Sequence, residues 1–248
     1  MVELVLENAG DFKKCIEAIS VLIDEAEFTL DKESLSLKAT DPSQISMIDF
    51  KIPKSAFKEF KVSGTVKIGV DLDYLNQIMS RAKASDTLEL SLDEANARLK
   101  LSFRGVSKRS FSIPLLDVSK QELPTPKIDF DSSMKIQAGA LQDGLKDASL
   151  IGSHITLGIS DDKFFMKASS SKGNWEHETT KKDNALLELN VTKEGSAMFP
   201  LEYLQDMLKA ASSDTAISVG IKANHPVNLA YSIGQASVSY YLAPRIEN

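Results

Sequence analysis

Hydrophobic and polar residues alternate along most of this chain. Leu88, Leu90 and Leu92 alternate with Glu89 and Ser91, and Leu99, Leu101 and Phe103 with Lys100 and Ser102. Asp93 to Ala97 lies between them, so the stretch predicts a β-hairpin with one buried face. Ile217, Val219 and Ile221 repeat the pattern before Leu229, Tyr231 and Ile233, joined through Asn224-His225-Pro226. Further short strands are expected at 2–6, 35–39, 47–52, 111–113, 155–159, 164–168, 187–191 and 238–242.

Four segments switch to helical spacing. Residues 10–23 place Phe12, Ile16, Ile19 and Ile23 on one face, with Lys13, Lys14, Glu17 and Ser20 opposite. Residues 72–82 bury Leu72, Leu75, Ile78, Met79 and Ala82 and leave Asn76, Gln77, Ser80 and Arg81 outside. Asp71 stands where an N-cap belongs, and Asp73 lies in the first turn, where the helix dipole favours a carboxylate. Residues 140–149 bury Leu141, Leu145 and Ala148. Residues 201–210 bury Leu201, Leu204 and Leu208, with Pro200 leading into the helix. The expected class is α+β, with amphipathic helices on one side of antiparallel sheet.

The pattern also occurs twice. Leu72-Asp73-Tyr74-Leu75 returns as Leu201-Glu202-Tyr203-Leu204, and Ser85-Asp86-Thr87 as Ser213-Asp214-Thr215. Leu37-Lys38-Ala39-Thr40 returns as Met166-Lys167-Ala168-Ser169, and Phe28-Thr29-Leu30 as Ile155-Thr156-Leu157. A repeat in constant order across half a chain implies two similar domains, each with two helices. The expected boundaries are 1–114 and 128–248. Between them, 115–127 shows neither period, and Pro114, Pro124 and Pro126 keep it out of a central strand. Leu115, Leu116, Val118 and Leu123 make this connector more apolar than a solvated linker, so it is expected to cover a groove.

Composition narrows the classes. The 248 residues are 42% hydrophobic and 26% charged, as in ordinary soluble proteins. No apolar run approaches the roughly 18–20 residues of a membrane span, and the N-terminus lacks a basic region ahead of its apolar run. The single cysteine, Cys15, excludes an internal disulfide and fits a reducing compartment. It reads as a small core residue. A net charge of −6 argues against an overall basic coat, though a local basic patch is compatible with it.

A search for chemistry finds no residues to carry catalysis. Gly64 and Gly69 are not followed by Lys-Ser/Thr, and no Gly-x-Ser-x-Gly or Cys-x-x-Cys occurs. His177-Glu178 has no second histidine at helical spacing. His154, His177 and His225 are expected to be plain surface groups, and Asp161-Asp162-Lys163 a hairpin turn. Trp175 suits a strand anchor and a partner contact equally. No enzyme, metal site or cofactor is expected.

Three motifs carry a resemblance. Asp41-Pro42-Ser43-Gln44-Ile45-Ser46-Met47, the connector from Leu115, and the ending Tyr240-Tyr241-Leu242-Ala243-Pro244-Arg245-Ile246-Glu247 resemble the DNA sliding clamps of the proliferating cell nuclear antigen type. The resemblance runs over the whole chain. It implies a pseudo-sixfold ring of three subunits, self or sister chains, with helices lining a hole. Such a ring encircles duplex DNA and tethers DNA polymerase, flap endonuclease, DNA ligase and the clamp loader through short motifs. It implies DNA-facing roles for Lys13, Lys14, Arg81, Lys83, Lys146 and Lys209. Arg81 and Lys83 have a rival use with Arg109, pairing across a subunit interface with Asp143 and Asp147, where Trp175 also lies. A strand near 106–113 would continue a neighbour's strand near 174–182. Gln44, Ile45, Met47, Leu123, Pro226, Tyr241, Ala243, Pro244 and Ile246 would line the partner groove. The lack of an acidic extension after Asn248 resembles archaeal members, which implies the cytoplasm at the nucleoid, or the nucleus in a eukaryote. A checkpoint-type clamp relative acting as a signalling scaffold is the alternative.

Overall fold

The structure is a computed structural model that describes residues 2–117, 124–160 and 162–245. Its contacts divide the chain into two units. The first is Met1–Pro42, Ile48–Pro124 and Ser232–Val238; the second is Ser43–Met47, Thr125–Tyr231 and Ser239–Asn248.

The first unit contains β1 (Val2–Leu6), α1 (Ala9–Ser20), β2 (Glu25–Leu30), β3 (Ser34–Thr40) and all but the first two residues of β4 (Ser46–Pro53). It continues with β5 (Glu59–Val62), β6 (Val66–Asp71), α2 (Leu72–Met79), β7 (Thr87–Asp93), β8 (Arg98–Arg104) and β9 (Lys108–Pro114). Antiparallel pairing gives the orders β5-β1-β7-β8-β9 and β4-β3-β2-β6. The expected hairpin is β7–β8, with Leu90 opposite Leu101. Ala97 supplies the left-handed turn residue at φ 49°.

The second unit repeats this plan with β10 (Ser132–Gln137), α3 (Ala138–Ser149), β11 (His154–Ser160), β12 (Lys163–Ser170) and β13 (Gly173–Thr180). There follow β14 (Leu186–Val191), β15 (Gly195–Pro200), α4 (Leu201–Leu208), β16 (Ala216–Ile221), β17 (Val227–Ile233) and β18 (Ala236–Leu242), the last two apart from their share of Ser232–Val238. Its orders, β14-β10-β16-β17-β18 and β13-β12-β11-β15, match those of the first unit place for place. The repeat in sequence is a repeat in topology, and the fold is α+β as the pattern predicts.

Each helix pair buries its apolar stripe. Ile16, Ile19, Leu72, Leu75 and Met79 are no more than 1% exposed, and each such side chain contributes about 1.5–3 kcal/mol relative to exposure. Cys15 is buried among them. Three of the helices are shorter than their periodicity suggests. Arg81 N donates to Ile78 O at 3.0 Å and Ala82 N to Met79 O at 3.0 Å, a tightened last turn that closes α2 early. Ile23 lies beyond the end of α1 yet remains buried, while Ala82 is only half-buried. Asn76, expected outside, turns toward α1 and donates to Ser20 Oγ at 2.7 Å.

Candidate nucleic-acid interface and partner groove

Asn8 starts α1 by accepting from Gly10 N at 2.8 Å and Asp11 N at 3.3 Å, which fixes the rotation of the helix and its polar face. Lys14 is exposed there. Lys13 is half-buried with Nζ 3.9 Å from Glu17. Asp71 caps α2 through Tyr74 N at 2.8 Å, so Gln77, Ser80 and Arg81 emerge exposed. Lys83 follows in the turn, also exposed. Among the described residues Lys14, Arg81 and Lys83 make no side-chain ion pair.

In the second unit, Lys146 on α3 pairs with Asp143 at 3.1 Å, and both side chains are mostly exposed. Lys209 follows α4. The two helices are tied by Gln142 Nε2, which donates to Leu208 O and Ala211 O, each at 3.0 Å. A depression of about 390 Å³ lies between them, lined by Gln142, Lys146, Gln205, Asp206 and Lys209 among others. Burial pushes the Asp206 carboxyl above its usual range; Lys209 opposes this and Glu202 adds to it.

Arg109, expected at a subunit interface, has partners within its own chain. Its guanidinium pairs with Asp86 of the same chain and donates to Arg81 O at 2.8 Å. It also lies 5.4 Å from the centre of the Phe103 ring. Asp86 is 3% exposed, and a buried carboxylate without a cation is costly, so Arg109 is claimed within its own domain. Asp143 is likewise occupied by Lys146, whereas Asp147 is exposed. Trp175 on β13 is half-buried and stacks on His177 with ring centres 6.0 Å apart. A side-chain carbon at Gly144 of α3 would lie 3.4 Å from its ring, so much of the indole is used internally. β9 and β13 each end a sheet in their own unit.

The expected groove residues fall into three groups. Gln44 is exposed in a left-handed turn, φ 58°. Ile45, Pro226, Tyr241, Ala243 and Pro244 are half-buried. Tyr240 is wholly buried and Tyr241 is not, as alternation on β18 demands. Ala243 N donates to Ile45 O at 2.8 Å, which brings the 43–47 loop and the tail together. Asn228 Nδ2 donates to Tyr240 O at 2.9 Å and sets the start of β17 beside the end of β18. Met47 departs from expectation: at 6% exposure it is a core side chain, not a surface contact. Leu123 and Ile246 lie outside the described residues.

One tail contact was not foreseen. Arg245 Nη1 lies 3.4 Å from His154 Nδ1, so His154 is not a plain surface group. No local spacing links residues 91 positions apart.

Comparison with known proteins decides the family. Residues 1–122 match the N-terminal domain of proliferating cell nuclear antigen, and residues 124–246 match its C-terminal domain. The chain belongs to the proliferating cell nuclear antigen family. A protein named DNA polymerase sliding clamp from Methanococcus maripaludis is 35% identical over 97% of this chain and 98% of its own length. One of the same name from Pyrococcus furiosus is 33% identical over 99% and 98%. The fold matches the crystal structure of PCNA from Thermococcus kodakaraensis with a TM-score of 0.95 at 26% identity, covering 99% of this chain and 100% of that one. It matches A. fulgidus PCNA, solved with the C-terminal region of FEN-1 bound, with a TM-score of 0.91 at 26% identity over all of both chains. Among the described residues no helix is long and apolar enough to cross a membrane, and no three His, Cys, Asp or Glu side chains are grouped to hold a metal.

Proposed function

We propose that this chain is a subunit of a DNA polymerase sliding clamp, a processivity factor that performs no chemistry itself. The observation that carries this reading is that both halves match clamp domains in order and nearly end to end. The chain is organised as clamp domains 1–114 and 128–248 with a connector at 115–127. Three subunits close a ring around duplex DNA, β9 of each pairing with β13 of the next, which removes two open sheet edges. Asp147, Asp143 and the exposed part of Trp175 flank that junction.

Lys13, Lys14, Arg81, Lys83, Lys146 and Lys209 face the phosphates. Ser20, Gln77 and Ser80 share these polar faces, so contact is loose and sensitive to salt, and retention comes from topology. Polymerase, flap endonuclease, DNA ligase and the clamp loader dock through short motifs on Gln44, Ile45, Pro226, Tyr241, Ala243 and Pro244. Met47 supports that groove from within. The ring works in the cytoplasm at the nucleoid.

The test is mass and processivity together. Light scattering in moderate salt should give three times the chain mass of 27.1 kDa. With clamp loader and primed circular template, the protein should lengthen polymerase products. A monomer that leaves product length unchanged would overturn the proposal.

A further inference from the structure

The C-terminal tail is held at three points. After β18, Ala243 N donates to Ile45 O at 2.8 Å and Arg245 N donates to Met198 O of β15 at 2.7 Å. Pro244, between them, has no N–H to add. The third point is the Arg245 side chain, whose Nη1 lies 3.4 Å from His154 Nδ1. His154 opens β11 opposite Pro200 of β15. Its Nδ1 is also 3.0 Å from Ser153 Oγ. Ser153 is fixed in turn, because its carbonyl accepts from Leu201 N at 2.9 Å.

A guanidinium has donors only, so Arg245 can bond Nδ1 in the neutral tautomer whose single lone pair sits there, on the same atom that Ser153 Oγ faces. We propose that His154 and Arg245 are positioning residues for the tail, and that a neutral His154 keeps Ala243 and Pro244 in the form the partner groove requires. The inference rests on the groove reading given above.

The elements packed on His154 contribute Ser153, Pro200 and Arg245. Among the described residues Arg245 is the one charged group bearing on it. Burial, followed by the Arg245 charge, holds the imidazole below its usual value of 6.5. Protonation removes the acceptor and sets two cations side by side. Since the docked tail lowers proton affinity at His154, its stabilisation is full above about pH 6.5 and is lost as pH falls through the lower docked value. Each unit of difference corresponds to about a tenfold change in the docking equilibrium.

The test uses the full-length protein. Titration of the His154 ring by NMR should show a higher pKa in Arg245→Gln than in the parent; an unchanged value overturns the proposal. Backbone exchange at Ala243 and Arg245, corrected for intrinsic rate, should rise between pH 7.5 and 5.5. It should stay flat in His154→Gln, whose side chain accepts at either pH. Tail exchange that ignores both pH and substitution overturns the proposal, whatever a partner peptide does. A synthetic peptide of the flap endonuclease C-terminal region from the same source should bind roughly 3- to 10-fold more weakly at pH 5.5. That dependence should vanish in His154→Gln and persist in His225→Gln. A tail that responds while peptide affinity stays constant supports the positioning role and overturns the groove reading instead.

Discussion

Arg109 reaches Asp86 within its own domain, and the carboxylate it meets is also bonded by Lys83 N at 3.0 Å. Asp86 thus organises the turn after α2, while its repeat counterpart Asp214 is exposed. Asp86→Ala leaves a half-buried guanidinium and a backbone donor without their acceptor. It should destabilise the first domain by about 1–3 kcal/mol. Asp214→Ala should stay within about 0.5 kcal/mol. Denaturant midpoints of the two variants check this, and equal shifts would remove the special role of Asp86.

Cys15 should be inert in the folded protein. Burial, aided by the nearby Asp11 charge, raises its thiol from 9.0 to about 12, so almost no thiolate forms at pH 8. A chromogenic disulfide reagent should react with it only after unfolding. The group is raised in the folded state, so its contribution is full below about pH 9 and is lost as pH climbs toward 12. Cys15→Ala should flatten that alkaline decline in melting temperature.

Lys14 is exposed and Lys13 half-buried on one helix face. Replacing both with Glu should shorten polymerase products while leaving the assembled mass unchanged. The salt dependence of clamp loading onto DNA should weaken by about one logarithmic unit of slope per lysine lost. Unchanged product length and slope would assign the DNA-facing surface elsewhere.

Tyr240 and Tyr241 should separate stability from docking. Tyr240 is wholly buried, its ring 6.1 Å from that of Tyr231, and Tyr240→Ala should cost about 3–5 kcal/mol. Tyr241 is only half-buried. Tyr241→Ala should change stability by less than about 1 kcal/mol yet weaken a partner peptide at least tenfold, as loss of an aromatic anchor does. Calorimetry and peptide titration on the same samples check both statements.

Four of the strands that the hydrophobic pattern missed share a physical cause. β5, β10 and β15 carry two or fewer strongly apolar positions on the buried side, and β13 is polar apart from Trp175. Such segments become strands because a neighbour offers unpaired N–H and C=O groups, as β12 does for β13 through register pairs from Lys163–Thr180 to Ser170–Gly173. β13 was expected only through family resemblance. β6 alternates Val66, Ile68 and Val70, but Gly64 and Gly69 obscure so short a run.

The candidate site divides in the same way. Periodicity placed Lys14, Gln77, Ser80 and Arg81 on outward helix faces because a 3.6-residue repeat leaves a buried stripe only one solution. It likewise required one of Tyr240 and Tyr241 to be internal. By itself, then, the chain determined two repeated domains, their helix faces and the tail motif, all of which depend on neighbours a few residues away or on one long repeat. Tertiary structure decided that Tyr240 is the internal one, that Met47 is buried, that Arg109 belongs to Asp86, and that Arg245 meets His154. Those choices join residues far apart in sequence, where burial and charge compensation select a partner that no spacing encodes.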